Sequence, residues 1–399
     1  MKQIKDFLRQ MMLLYKRFLY LLARLIETPD KKTVFFEAYQ GRSVACSPKA
    51  LYEEMKSDEK YRGYHFIWSL RNTDREDLKD YDTTVVKFES FSYYRALAKA
   101  GYWIFNSNPR PFLKPGKHQV FVQTWHGTPL KKIGCDLEKT GNALTKFSQI
   151  HKIYTGESKK ITYMISPSAY CTEKFISAFR LKDVHKEERV LTTGYPRNDY
   201  LFRATKEDCA KIKKKLQIPG NKKIILYAPT FRDNQYSAAA GFELANYMDF
   251  DLAKEYLGEE YVILFRAHYF ISRKLDAERH RGFVYDVSGV EDINELYVIS
   301  DILVTDYSSV FFDFANLKRG IIFFMPDYLE YKNHLRDFYL DMDQLPGPVT
   351  GKQAELFAYI KSFSKDFKAD EKYLNFNKKY NYLDGPHTGK KVLDMIIEN

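Results

Sequence analysis

The chain has 399 residues, 45% of them hydrophobic and 16% aromatic, enough to fill two cores of ordinary size and too apolar for global disorder. With 63 basic against 52 acidic residues the formal charge is +11, which favours an anionic partner: nucleic acid, acidic lipid or a phosphorylated substrate. The cysteines Cys46, Cys135, Cys171 and Cys209 lack CxxC spacing, which argues against a disulfide framework or zinc site and suits reduced, structural thiols in a cytosolic setting.

Residues 1–28 are expected to form an amphipathic helix. Ile4, Phe7, Leu8, Met11, Tyr15, Phe18, Leu22, Leu25 and Ile26 recur near helical period, while Lys2, Lys5, Arg9, Lys16, Arg17 and Arg24 interrupt every apolar run. A membrane span needs about 20 mostly apolar residues, and no such run exists; nor is there a signal-peptide core with a small-residue cleavage site. The pattern suits a helix lying on an anionic membrane surface, at its cytoplasmic face. A helix packed on its own domain is the alternative.

Strand-like and helical stretches then alternate: strands at 33–38, 65–70, 84–88, 102–107 and 120–124, helices at 49–55 and 92–100. Such alternation implies a parallel sheet covered by helices. The strand at 120–124 runs into Trp125-His126-Gly127-Thr128-Pro129. Gly127 lets backbone approach a ligand closely. The imidazole of His126 is a natural general base near neutral pH, although a lone histidine is often structural. Residues 137–157 are polar and weakly periodic, expected as a mobile loop or irregular helix over the site. A strand at 162–166, a helix at 168–179 and a strand at 190–193 lead to Gly194–Asp199. Arg197 in that turn could reach phosphate with its planar fork or pair with Asp199.

The boundary between an acceptor-side domain (29–200) and a donor-binding domain (201–399) is expected before a basic helix at 206–216. Strands follow at 222–228, 261–265, 283–286, 302–305 and 321–324. The first two end at Pro229-Thr230 and at Arg266-Ala267-His268. The strand at 302–305 turns through Ser308 and Ser309 into a helix over 310–318, closed by Arg319-Gly320. The serines could cap that helix or, with its positive end, hold a phosphate. Helices at 353–365 and 385–399 end the chain, the last returning to the first domain.

His126, Arg197, Thr230, Arg266, His268, Ser308 and Ser309 all follow predicted strands, where open α/β sheets bind ligands. Two doubly wound domains facing each other would gather these cations, hydroxyls and helix ends in one cleft, suited to a diphosphate. No acidic cluster marks a magnesium cage, although Asp233, Asp306 and Asp313 leave a divalent metal open. No Walker loop or GxGxxG fingerprint is present, which argues against a P-loop NTPase or a nicotinamide enzyme. A basic nucleic-acid-binding protein is the non-enzyme alternative, but no RNA- or DNA-binding motif supports it.

Together, QTWHGTPLKKIG (Gln123–Gly134), TGYPRND (Thr193–Asp199), YAPTFRD (Tyr227–Asp233), RAH (Arg266–His268) and TDYSSVFFDF (Thr305–Phe314) resemble the CDP-glycerol glycerophosphotransferase family. These are the teichoic-acid primases and polymerases of Gram-positive bacteria. The resemblance runs from about Thr33 to the C-terminus. It implies a GT-B-like fold of two Rossmann-like domains facing an interdomain cleft. The implied donor site falls on Trp125, His126, Gly127, Thr128, Pro129, Arg197, Pro229, Thr230, Arg266, Ala267, His268, Ser308, Ser309 and Asp313.

The implied reaction transfers glycerol phosphate from CDP-glycerol to a terminal hydroxyl of a lipid-linked, phosphate-bearing acceptor, releasing CMP without a cofactor. His126 is the expected base, with His268 its competitor. Transfer from CDP-ribitol and a nucleotide-sugar GT-B glycosyltransferase are the alternative enzymes. The WHGTP form resembles chain-extending members. Phe231 stands where many members have tryptophan, and the large N-terminal region of long polymerases is lacking, which suits a short-chain extender.

Overall fold

A computed structural model describes residues 2–138, 147–230, 236–237, 241–242, 248–267, 279–331 and 337–397. Seven strands build the first sheet: β1 (Asp30–Glu37), β2 (His65–Leu70), β3 (Thr83–Lys87), β4 (Ala100–Phe105), β5 (Val120–Gln123), β6 (Tyr163–Ser166) and β7 (Val190–Thr192). Next come β8 (Lys223–Ala228), the short antiparallel pair β9 (Tyr236–Ser237) and β10 (Gly241–Phe242), and β11 (Tyr261–Phe265). β12 (Val284–Asp286), β13 (Ile302–Thr305), β14 (Gly320–Phe324) and β15 (Val349–Thr350) complete the set.

The first sheet has the order β3-β2-β1-β4-β5-β6-β7 and the second β12-β11-β8-β13-β14-β15, both parallel throughout. Each order doubles back next to its first strand, the arrangement that opens a crevice at the strands' carboxyl ends.

Parallel sheets need cover on both faces, and strand alternation supplies it. In the first sheet Phe35, Trp103, Phe105 and Phe121 form one core with Tyr93 and Leu97 of the Phe91–Lys99 helix. Val34, Phe36, Trp68 and Ile104 form the other, against Leu51 and Met55 and, from the chain's end, Val392, Leu393 and Ile396. In the second sheet Leu226, Leu264, Leu303 and Phe323 pack with Phe311, Phe312 and Phe376. Ile225, Ile263, Val304 and Ile322 pack with Ala253, Leu356 and Ile360 on the opposite face.

The N-terminal helix spans Lys2–Ile26. Its last turns dock through Tyr20 and Ala23, both buried in the first core, and Lys16 pairs with Glu89. Phe7, Leu8 and Phe18 are each about 60% exposed, so the apolar stripe faces outward. Among the described residues no helix is long and apolar enough to cross a membrane.

Four local details differ from the sequence reading. The segment after β13 is an α-helix of only five residues, Val310–Phe314, continued by a 3-10 turn. Lys318, with φ +53°, takes the left-handed closing position expected of Gly320, which instead starts β14. Phe147–Ser158, within the stretch expected as a mobile loop or irregular helix, is a regular helix, with Tyr154 packed on Trp125 and Phe179. The Glu371–Tyr380 helix and β15 carry too little periodicity or length to stand out in the sequence.

The C-terminal segment is tied to the first sheet's edge at several points. Asp199 accepts the N–H groups of Thr388 (3.1 Å) and Gly389 (2.7 Å), and Asp384 accepts Tyr195 N–H at 2.8 Å. Gly194 has φ +97°, and a Cβ there would lie 2.6 Å from the Leu383 carbonyl oxygen. Gly194→Ala is therefore expected to destabilise the protein by about 2 kcal/mol or more and to expose the segment after Tyr380 to protease. Urea unfolding and limited proteolysis check both effects.

Candidate active site

The end of β5 delivers a histidine to the cleft by a strained reversal. Thr124 bonds back to the Phe105 carbonyl through its N–H (2.7 Å) and its hydroxyl (3.2 Å). Trp125 then takes φ +53°, a conformation that costs a bulky residue roughly 1–3 kcal/mol. Its N–H is held by Gln123 Oε1 at 3.0 Å, and its indole is locked in the core by Phe179 and Phe175, with ring centroids at 5.3 and 6.0 Å. His126 stacks on the other side of that indole at 4.5 Å and opens to the cleft.

The His126 Nδ1 atom lies 2.7 Å from the Asn106 carbonyl oxygen. A carbonyl can only accept, so Nδ1 carries the hydrogen and, in the neutral ring, Nε2 keeps its lone pair. Desolvation by the surrounding protein holds the His126 pKa below the ordinary histidine value; the hydrogen bond to Asn106 opposes this shift, and the charge of Arg197 adds to it. Near pH 7 the ring is accordingly neutral, with its basic nitrogen available.

A cavity of about 360 Å³ lies between the two sheets. Tyr39 and His126 line it from the first, and Arg266, Tyr297, Ser309 and Asp313 from the second. Arg197 joins the two walls. Its Nη2 makes 2.8 Å bonds to both oxygens of Asp313, its carbonyl accepts Asn294 Nδ2, and its guanidinium lies 4.5 Å from the Tyr195 ring centroid. Burial is the largest influence and works against this charge, but Asp313, together with Cys46, Tyr195 and Tyr39, outweighs it and holds the Arg197 pKa well above the usual arginine range.

Three atoms in the cavity walls, Arg197 Nε, Asn294 Oδ1 and the Tyr297 hydroxyl, have no hydrogen-bond partner among the described residues. Buried polar atoms are rarely left so, which suits a polar ligand. Arg266 is fixed by Nη1 bonds to the carbonyls of Val290 (2.7 Å) and Val287 (3.3 Å).

The structure thus brings His126, Arg197, Arg266, Ala267, Ser309 and Asp313 together around one cavity. Gly127 adjoins it: a Cβ there would lie 2.7 Å from Ser309 Oγ, so a side chain at this position would force the Ser309 hydroxyl to rotate away. Trp125, Thr128, Pro129, Pro229, Thr230 and Ser308 do not line the cavity. Trp125 supports the histidine from behind, the Pro129 carbonyl accepts the Tyr170 hydroxyl at 2.9 Å, and Thr230 N–H bonds Asp306 at 2.8 Å. Ser309 makes no side-chain capping bond to its helix. His268 and Phe231 lie outside the described residues.

Sequence reading missed Tyr39, Asn294 and Tyr297. Tyr39 follows β1 and was accessible to the strand-end rule. Asn294 and Tyr297 sit on the Ile293–Ile299 helix, whose sequence carries no ligand signal. Among the described residues no three His, Cys, Asp or Glu side chains gather as metal ligands.

Residues 19–398 match the family model described as CDP-Glycerol:Poly(glycerophosphate) glycerophosphotransferase. The chain belongs to this family. It is a CDP-glycerol glycerophosphotransferase, a transferase of teichoic acid biosynthesis. It is 37% identical over 370 residues to the teichoic acid poly(glycerol phosphate) polymerase of Bacillus spizizenii, covering 92% of each chain. It is 37% identical to the polymerase of that name from Bacillus subtilis strain 168, of which it spans 49%. The teichoic acid glycerol-phosphate transferase of Staphylococcus aureus is 36% identical over 86% of both chains.

Among solved structures, the wall teichoic acid polymerase TagF superposes with a TM-score of 0.87 at 35% identity, over all of this chain and 97% of that one. A UDP-GlcNAc 2-epimerase from Methanocaldococcus jannaschii, 9% identical over 92% of this chain and 99% of its own, superposes at 0.53. It shares the GT-B-like fold alone.

Removing Asp313 would leave Arg197 buried and uncompensated. Asp313→Ala is expected to cost about 3–5 kcal/mol, and Arg197→Met combined with Asp313→Leu markedly less. Denaturant unfolding of the two variants makes the comparison.

Proposed function

We propose that residues 29–200 present the acceptor and residues 201–399 the donor, with His126 as general base at the junction. The observation that carries this reading is the tautomer of His126: Nδ1–H is committed to Asn106, and the lone pair of Nε2 opens into a cleft that also holds Arg266 and Ser309. An acceptor hydroxyl oxygen attacks the donor phosphorus that bears glycerol. Nε2 takes the hydroxyl proton, the bond from that phosphorus to the CMP oxygen breaks, and CMP departs with the electron pair. The new bond completes a phosphodiester.

Arg266 and the hydroxyl of Ser309 offset the charge on the diphosphate as CMP leaves. Arg197 acts differently in this reading. With Nη2 spent on Asp313, it keeps the walls in register and offers Nε to the ligand. His268 remains a competitor for the base or a donor phosphate ligand, as the RAH segment of the family resemblance implies.

The acceptor in this reading is a lipid-linked polyol phosphate, met at the cytoplasmic face of the membrane, where the protein is peripheral. The outward apolar stripe of the Lys2–Ile26 helix, with the exposed Arg9 and Arg17 on the same helix, supports surface attachment. Tyr20 and Ala23 are core residues, so deleting the helix would also damage the fold. Phe7→Asp with Leu8→Asp is the cleaner test. These exposed changes are expected to weaken binding to anionic vesicles while leaving CDP-glycerol binding intact, and unchanged vesicle sedimentation would remove the helix from this role.

His126→Ala is expected to lower single-turnover transfer from CDP-glycerol by about 10²–10⁴-fold with donor affinity largely retained. Near-normal turnover would rule out the assigned base, and a turnover loss confined to His268→Ala would move the role there. In the wild-type protein kcat/KM should fall with pH only below the ordinary histidine value. The folded pKa is depressed, so the neutral, active ring persists to lower pH than in a free histidine. An acid limb at or above that value would contradict the assignment.

A further inference from the structure

The strained turn after β1 has a consequence for the acceptor side of the cleft. Tyr39, Gln40 and Gly41 have φ values of +49°, +57° and +73°, and the first two are residues that avoid this region. The turn is held by Ala38, whose carbonyl accepts the N–H groups of Gly41 (3.0 Å) and Arg42 (3.3 Å). Its own carbonyls then fix two arginines. Tyr39 O accepts Arg42 Nη1 at 2.9 Å, and Gln40 O accepts Arg71 Nε at 3.0 Å. Gly41 O also takes the backbone N–H of Arg71 at 2.7 Å.

From there the cations continue outward. The Arg71 guanidinium lies 5.1 Å from the centroid of the Phe88 ring, and neighbouring Glu89 pairs with Arg110, from the loop after β4, and with Lys16 of the N-terminal helix. At the inner end, Arg42 lines the cleft cavity together with His126. Arg71 is exposed and forms no ion pair among the described residues. Desolvation lowers its pKa, and the charges of Arg42 and Arg110 push the same way, against Glu89. Arg71 is thus an exposed guanidinium fixed by its Nε close to two like charges, a setting that a bound anion would relieve.

We propose that Arg42, Arg71 and Arg110 form a track for the phosphodiesters of the growing polymer, leading from the base at His126 to the N-terminal helix. This rests on the reading above, in which the acceptor is a poly(glycerol phosphate) whose lipid end lies at that helix. Such an acceptor carries a negative charge at every repeat, and the arginine fork matches a phosphodiester's two free oxygens. The donor diphosphate belongs to the opposite wall, at Arg266 and Ser309, so the track distinguishes a polymer end from a free polyol without competing for CDP-glycerol.

The test compares Arg71→Gln and Arg71→Lys with Arg62→Gln, a fully surface arginine of the same domain whose side chain is 81% exposed. Binding of a synthetic oligo(glycerol phosphate) with several phosphodiesters, and of single-unit glycerol phosphate, is measured without donor over a salt series. Arg71→Gln is expected to weaken the oligomer about tenfold and to flatten its salt dependence, with Arg71→Lys intermediate and the single unit changed less than about twofold. CDP-glycerol binding should stay unchanged.

Undiminished oligomer binding by Arg71→Gln would overturn the track, as would an equal loss in Arg62→Gln. A matching loss of CDP-glycerol binding would assign these arginines to the donor and overturn it too. Absence of CDP-glycerol turnover in the wild-type protein would instead count against the transfer mechanism. The donor-free binding comparison would still decide the track.

Discussion

The Arg197–Asp313 pair joins the two halves of this molecule at the cavity between the sheets. A charge removed from water is costly, and only a partner with good geometry compensates it. Here one carboxylate, from the short helix after β13, accepts two bonds from a guanidinium that follows β7. Asn198 adds a third bond to Asp313 at 3.1 Å and reaches Asp384 at 2.7 Å. The C-terminal segment is thereby drawn into the same network. The pair sets the spacing of the cavity walls, so the same residues are structural and site-forming.

Around that clasp, the site uses backbone strain to aim side chains. Trp125, Tyr39 and Gln40 all hold left-handed conformations at strand ends. At Trp125 the strain turns an indole inward and a histidine outward. At Tyr39 and Gln40 it turns two carbonyls toward arginines. Apolar packing and backbone hydrogen bonds over-determine both turns, which is how strain persists in a folded chain. Desolvation completes the arrangement by keeping His126 neutral, with its proton on the nitrogen that faces Asn106.

The cavity unites groups from six separated stretches of chain. The relatives that the chain matches include polymerases and a glycerol-phosphate transferase.

Much of this was legible in the sequence, because the fold follows from local rules. Apolar β-branched and aromatic runs such as Ile302–Val304 read as buried strands, their alternation with helices implies parallel sheets, and strand ends mark the ligand side. The strand-end rule singled out His126, Arg197, Arg266 and Ser309, which line the cavity, and the family resemblance added Asp313. What the sequence could not decide was partnership. Whether Arg197 meets phosphate or Asp313, which nitrogen of His126 keeps its hydrogen, and whether Asn294 and Tyr297 face the cleft depend on contacts between residues far apart in the chain. The outward face of the N-terminal helix belongs to the same class: its periodicity was evident, but Tyr20 and Ala23 had to find their core before the opposite stripe could be left to the surface. Local periodicity determines elements, and only tertiary burial fixes the charge, tautomer and partner of each polar group they carry.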